Sequence, residues 1–341
     1  MNDRRGGRAM GSLTEKEILT AIEAATRAPS VHNTQPWLFL PGAEGIEVHA
    51  DLSRRLAAID PQGRAMHISL GAAVLNLRIA LANGGHSECT LLLPDPDDPR
   101  HVATVRAEGR RSVGLEEREL FVAIGRRHSN RGPFDNIRPP GPDLERLAAA
   151  AELEGAMLHF ADPAERDALL GLVRTAETRR RRDSAYRAEL LAWTTDDPYR
   201  EDGLPLEAVG PWSEMAAMPI RDFAPEREIP GRQTVRFEWE PVVATLSVHG
   251  GDGPKQWLRA GQALQRVLLE ATRRGLAASL FSQLLEDPEL LGLIRGGEHR
   301  MSVQMVLRVG YAPLAPASPR RSLEEVIVRG RPVPLKPPKL T

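Results

Sequence analysis

The chain has 341 residues, 41% hydrophobic and 27% charged, which is enough apolar material for roughly two domains with sizeable cores and excludes disorder as the main state. Lys and Arg number 45 against 46 Asp and Glu; the formal charge of -1 supplies no field for a nucleic-acid backbone and excludes a generic DNA or RNA binder. The single cysteine, Cys89, forms neither an internal disulfide nor a multi-Cys zinc or iron–sulfur site.

Residues 1–11 are Gly/Arg-rich and read as a flexible tail, as do 331–341. The N-terminus lacks the apolar core of a signal peptide, and no apolar run approaches the ~18 residues of a membrane span. A soluble cytoplasmic protein with no membrane or nucleic-acid partner is expected. Thr14 and Glu17 form a capping box ahead of Ile18, Leu19, Ile22 and Ala25 at helical spacing. Pro29 stops that helix. The polar stretch SVHNTQ lies between Pro29 and Pro36 and predicts a shaped loop. Trp37–Leu40 and Ile46–Ala50 read as a β-hairpin. Residues 67–85 are apolar nearly all round, with Gly71, Ala72 and Ala73, and predict a helix buried on more than one side. Cys89–Leu93 and Val102–Val105 are strand candidates. Leu115–Ile124 and Pro142–Glu154 read as helices, Met157–Phe160 as a strand, and TRRRRDS at 178–184 as a solvated helix face.

Residues 193–228, rich in Pro, Gly, Trp, Met and acids, lack periodicity; such a stretch is either a lid or binding loop or a plain surface insertion. Val242–Val248 is a strand, and Asp252 is the expected N-cap of the next helix, with Pro254 in its first turn. Gly250, Gly251 and Gly253 fit a strand-to-helix turn rather than a phosphate loop. The helix at 257–275 repeats 67–85: Gly71 aligns with Gly261 and Gly85 with Gly275, both at an offset of 190. Helix–gap–strand at 14–40 likewise recurs at 142–160. The copies differ in their polar sets, since only the first has P-S-x-x-N-x-Q-P-W and only the second follows R-H-S-N-R. Two related halves sharing one site would look like this.

Three segments carry a resemblance spanning about 14–328: Ala28–Trp37; Arg127-His128-Ser129-Asn130-Arg131 with Phe134; and Leu307–Tyr311 with Arg320–Leu323. In their order the chain resembles the nitroreductase-like flavoproteins, specifically the Acg-type subfamily. The resemblance implies an α+β nitroreductase-like fold, with two similar halves fused in one chain as a pseudo-dimer (12–114 and 115–330) and a lid insertion at about 193–228. It implies one FMN per chain, and a monomer or weak homodimer.

An FMN phosphate calls for fixed cations, best the planar forks of Arg. By resemblance Arg127 contacts phosphate beside Ser129, and Arg320 or Arg321 supplies a second fork. Arg131 falls where the family places a cation that raises the flavin potential. Pro29, Ser30 and Asn33, from the other half, resemble the loop that packs on the ring system, and Ser279 and Gln283 lie in the loop that runs past it. Read as residues alone, Arg127 and Arg131 are surface charges at a helix end, Ser129 a cap, and Ser30 and Asn33 turn formers. His32 and His128 lie in the two site segments, with no general acid assigned. No Ser-His-Asp spacing, H-E-x-x-H or metal cluster is present in the sequence pattern. The expected function is an FMN-dependent oxidoreductase passing electrons, with NAD(P)H as the candidate donor, to a nitro, quinone or similar small acceptor. The alternatives are an FMN-sequestering protein with little turnover, to which a lid carrying Trp193, Tyr199, Trp212 and Met215 would point, and a non-catalytic scaffold without flavin.

Overall fold

A computed structural model describes residues 13–42, 45–225, 227–294 and 301–330. The T-x-x-E signature caps α1 (Glu15–Thr26) as expected. The Thr14 hydroxyl accepts from the Glu17 amide, and the Glu17 carboxylate accepts from the Thr14 amide. Strands β1 (Trp37–Gly42) and β2 (Gly45–Ala50) form the predicted hairpin. The long helix α2 (Arg64–Asn83) follows, then β3 (His86–Leu92) and β4 (His101–Arg110). These strands form an antiparallel sheet in the order β1-β2-β4-β3.

Helices α3 (Leu115–Arg126) and α4 (Gly141–Glu152) lead into β5 (Ala156–Phe160). Then come α5 (Pro163–Arg180), α6 (Ser184–Ala192), the irregular stretch, β6 (Val242–His249), α7 (Pro254–Arg273), β7 (Ala277–Leu280) and β8 (Met301–Gly310). The second sheet is also antiparallel, ordered β5-β6-β8-β7. With α5, α6 and the irregular stretch set aside as an insertion between β5 and β6, both halves run helix, two strands, long helix, two strands, with the same neighbour order. Each also has a register shift in its central pair, at Val48/His49 and at Leu246/Ser247.

The two long helices cross at the paired glycines. A Cβ on Gly71 would lie 2.1 Å from the Leu258 carbonyl oxygen, and one on Gly261 would lie 2.0 Å from that of Ile68. Both contacts keep the offset of 190, and such reciprocity is what a two-fold relation between similar halves produces. Helix α2 is buried along most of its length; Leu70, Leu75 and Leu77 are fully enclosed, each contributing ~1.5–3 kcal/mol. By length and composition alone it is apolar enough for a membrane span, a run the sequence reading did not count. Here that composition is met by protein on all sides, including α1, α3 and α7. The core of the first half also takes Leu120, Ala123 and Ile124 of α3, and Val326 from a terminal turn whose Val328 amide donates to the Phe39 carbonyl.

Two local expectations are corrected. Gly253, not Asp252, is the N-cap of α7; the Asp252 carboxylate instead accepts from the Trp257 indole and the Gln304 amide. Residues 178–184 are mostly exposed, as expected, but do not form one helix face. They close α5, turn, and cap α6 through Asp183, with Arg179 paired to Asp287 and Glu289.

Candidate functional site

The loop between Pro29 and Pro36 is held in a demanding conformation: His32, Asn33 and Gln35 have φ of 49°, 55° and 50°. Left-handed geometry costs non-glycine residues ~1–2 kcal/mol each, so the surroundings must fix it. The Ser30 hydroxyl accepts from the Gln35 amide at 3.0 Å. Asn33 Nδ2 donates to the carbonyls of Gly203 (2.9 Å) and Pro319 (3.1 Å), and Gln35 Nε2 donates to that of Glu201 (2.8 Å).

The R-H-S-N-R segment lies along β7. Ser129 forms a parallel bridge with Ala278, and the Asn130 amide donates to the Ala278 carbonyl at 2.9 Å. Ser129 and Arg131 are thereby set beside Ser279. Between this segment and the Pro29 loop is a cleft of about 910 Å³, part of it open to solvent. Pro29, Ser30 and His32 line it from the first half; Ser129, Arg131 and Ser279 line it from the second; Ile68, Ala72 and Leu264 of the crossing helices also line it. Asn33 is not on its wall but ties the loop to the 193–228 stretch at Gly203 and to Pro319.

Beside the cleft the cations cluster: Arg131 is on its wall, whereas Arg127 and Arg320 lie outside its lining. Arg127 is buried; one Nη donates to the Arg27 carbonyl at 3.3 Å, while its Nε has no partner. Burial pushes its pKa down to about 10. Arg320 donates to Asn33 Oδ1 (3.1 Å) and to the Pro319 carbonyl (2.8 Å), and its Nε is also unpartnered. Burial first, then the charges of Arg127 and Arg27, lower it to about 9. The same three arginines, after burial, lower His128. Among the described residues no carboxylate pairs with Arg127, Arg131 or Arg320. Arg321 differs: it pairs with Glu325 at 3.0 Å and lies 3.6 Å from Asp51. Arg320 rather than Arg321 therefore adds uncompensated charge here. Arg131 donates to the Ala208 carbonyl at 3.0 Å and sits 4.8 Å over the Phe223 ring; burial, then Arg221 and Arg127, lower it to about 10.

The 193–228 stretch closes the cleft through residues not singled out from sequence. Ile220, Arg221 and Phe223 line it. Arg221 is buried in an ion pair with Glu286 and donates to Tyr186 Oη (2.9 Å), Ser282 Oγ (3.0 Å) and His32 Nε2 (3.2 Å). Burial above all, then Arg221 and Arg131, keeps His32 well below its ordinary pKa and hence neutral. Because Nε2 accepts from Arg221, the ring proton is assigned to Nδ1, which has no partner. The bulky residues expected to cover the cleft do not reach it. Tyr199 and Met215 are exposed, Trp212 stacks under Arg232 at 3.6 Å, and Trp193 lies against Arg54 and Arg200. Bulk alone did not place them, because an irregular stretch has no periodicity to show which side faces in. His128 does not meet His32; it stays with the arginine cluster. Gln283 is buried with both amide atoms unpartnered and lies outside the cleft lining.

No family model matches the sequence. The chain is similar to a Mycobacterium tuberculosis protein provisionally named NAD(P)H nitroreductase acg, at 30% identity over 324 residues, covering 92% of this chain and 96% of that one. It is 32% identical over 321 residues to uncharacterized protein Rv3127 of the same organism, covering 91% and 92%. Among solved structures it is similar to the FMN-dependent nitroreductase NfnB from Mycobacterium smegmatis in complex with NADPH (TM-score 0.40, 21% identity, 63% of this chain and 99% of that one). A nitroreductase with bound FMN from Desulfitobacterium hafniense gives a TM-score of 0.38 at 14% identity, covering 62% and 98%.

Proposed function

The chain belongs to the Acg-type nitroreductase-like family, and on that premise we propose that it is an FMN-dependent oxidoreductase whose fused halves form an internal pseudo-dimer with one flavin site. The halves divide in sequence near residue 114, and α3 and Val326 of the second pack into the core of the first. One observation carries the reading: buried Arg127 and half-buried Arg131 and Arg320, none paired with a carboxylate among the described residues, gather at or beside a cleft whose walls come from both halves. A buried guanidinium without a counter-charge is costly unless an anion completes it. The unpartnered Nε atoms of Arg127 and Arg320 are donors of the kind a phosphate accepts from.

Arg127 and Arg320 would hold the phosphate, while Ser30, Ser129 and Ser279 offer polar contacts to the ring system and Pro29 packs on it. Bound FMN supplies the two-electron chemistry. Arg131 places a desolvated positive charge on the wall, which favours bound forms carrying extra negative charge. Phe223 and Ile220 exclude water. His32, neutral, presents an N–H rather than a second positive charge. The relatives' names support NAD(P)H as donor and a nitro compound as one acceptor class. The protein is expected to be cytoplasmic and able to work as a monomer.

Purified protein should be yellow, hold one FMN per chain, and lose its visible flavin absorption when NAD(P)H is added anaerobically. A colourless protein that added FMN neither binds nor stabilises would refute the proposal. A second reading, FMN sequestration, is favoured by the buried Arg221–Glu286 latch across the 193–228 lid. It predicts bound FMN that anaerobic NAD(P)H fails to reduce.

A further inference from the structure

We propose that Glu47, His49 and His101 form a binding site for a divalent transition-metal cation of the Zn²⁺ type on the first sheet. The three share no residue with the cleft. Ile46, Val48 and Ala50 of β2 enter the core under α2, so the two-residue period turns Glu47 and His49 to the opposite face. Register sets His49 directly across from His101, and Glu47 lies two residues before His49 on the same face. The register shift at Val48/His49 brings the two imidazoles together, stacked with centroids 4.6 Å apart and planes 16° from parallel.

Their nitrogens converge on one oxygen. His49 Nε2 is 2.9 Å from Glu47 Oε2; His101 Nε2 is 3.7 Å from the same atom and 2.9 Å from Thr104 Oγ1, a hydrogen bond that a cation would replace. Metal–ligand bonds of about 2.0–2.2 Å place neighbouring tetrahedral donors roughly 3–4 Å apart; the 3.7 Å gap falls in that range, the 2.9 Å gap is just under it, and all three donor atoms lie within 4.8 Å of one another. Two imidazoles and a carboxylate suit a borderline cation, whereas Mg²⁺ and Ca²⁺ prefer oxygen alone. Three protein donors also leave a coordination position open to water or another ligand. Both imidazoles are buried and Glu47 is half-buried, so the cation would be shielded yet reachable from the Glu47 side. Asp98, close enough to feel His49, is held by Arg100 at 2.9 Å and is not counted as a donor. The ligands stand on two paired strands, so little ordering is needed on binding.

The test uses tag-free, chelator-treated full-length protein, titrated with Zn²⁺ by calorimetry and with Co²⁺ by visible absorption. One cation per chain is expected, with a raised melting temperature and no thiolate charge-transfer band from Cys89. His49→Gln and His101→Gln should each weaken binding at least about tenfold. Because those histidines are buried, Glu47→Gln is the variant that keeps shape and solubility; it should lose affinity and zinc-induced stabilisation while its circular dichroism is unchanged. Absence of binding by the parent, or binding that Glu47→Gln retains in full, overturns the proposal. FMN content is not the readout, so failure here is separate from failure of the flavin reading.

Discussion

Gly71→Ala tests the helix crossing on which the cleft is built. The new Cβ would lie 2.1 Å from the Leu258 carbonyl oxygen, where ordinary contact begins at 3.4 Å, so the helices must part by more than 1 Å. The obstacle is backbone, which cannot rotate aside. Overpacking of this kind costs ~1–3 kcal/mol, and a backbone clash belongs at the upper end. Alanine recovers about 0.5–1 kcal/mol of helix propensity. The net expectation is roughly 2 kcal/mol of destabilisation. At ~2.1 cal/mol/K of unfolding entropy per residue, that lowers Tm by roughly 3 °C in a chain of this length. Gly171→Ala is the control: it sits within α5 with nothing inside 4 Å of its Cβ, so the propensity gain should stand alone and raise Tm by roughly 1 °C. Gly261→Ala should match Gly71→Ala, and the double variant should cost less than their sum, because the first substitution has already parted the helices. Differential scanning calorimetry of the four variants measures this. Equal effects at Gly71 and Gly171, or strict additivity at the crossing, would refute the reciprocal contact.

Arg320→Gln and Arg127→Gln should each weaken FMN binding by roughly 10- to 100-fold, the scale of a lost charge-assisted hydrogen bond, and should stabilise the apoprotein by relieving mutual repulsion; fluorescence titration and apoprotein melting read the two opposite signs. Glu286→Gln leaves the Arg221 charge buried and uncompensated, at a cost of ~3–5 kcal/mol, so the 193–228 segment should become protease-sensitive and FMN exchange faster in limited proteolysis and stopped-flow measurements. Glu17 is held at a pKa of about 2, chiefly by the Thr14 backbone N–H, with His86 and Arg110 assisting. A lowered folded-state pKa means stability present above the ordinary value of 4.5 and lost as pH falls toward 2. The stability gap between the parent and Glu17→Gln should therefore shrink across that window in urea titrations at stepped pH.

Local physics made much of this fold legible. A Thr and a Glu three apart already satisfy the first helical donors, and Pro29 fixes where that helix stops. The offset of 190 between Gly71 and Gly261 marked two helices that both needed a bare face. The two polar segments, one before β1 and one between α3 and α4, were legible as candidate halves of a site because each is a short run of hydrogen-bonding residues beside a rigid point. Their meeting in one cleft follows only from the crossing of α2 and α7.

Other features depend on partners distant in the chain. Arg320 and Arg321 are indistinguishable in sequence; Asp51 and Glu325 neutralise one and leave the other beside Arg127. Arg221 and Phe223 carry no local periodicity, and their inward direction is set by Glu286, Tyr186 and His32, from three different elements. The Glu47, His49 and His101 cluster joins two strands across 52 positions, so no ligand spacing announced it. What the sequence determined by itself was each element and the face it must bury, because backbone hydrogen bonding and hydrophobic period act over a few residues. Only the tertiary structure decided which charges are compensated and which stand alone, because Coulomb energy and desolvation depend on distances in space that chain separation does not encode.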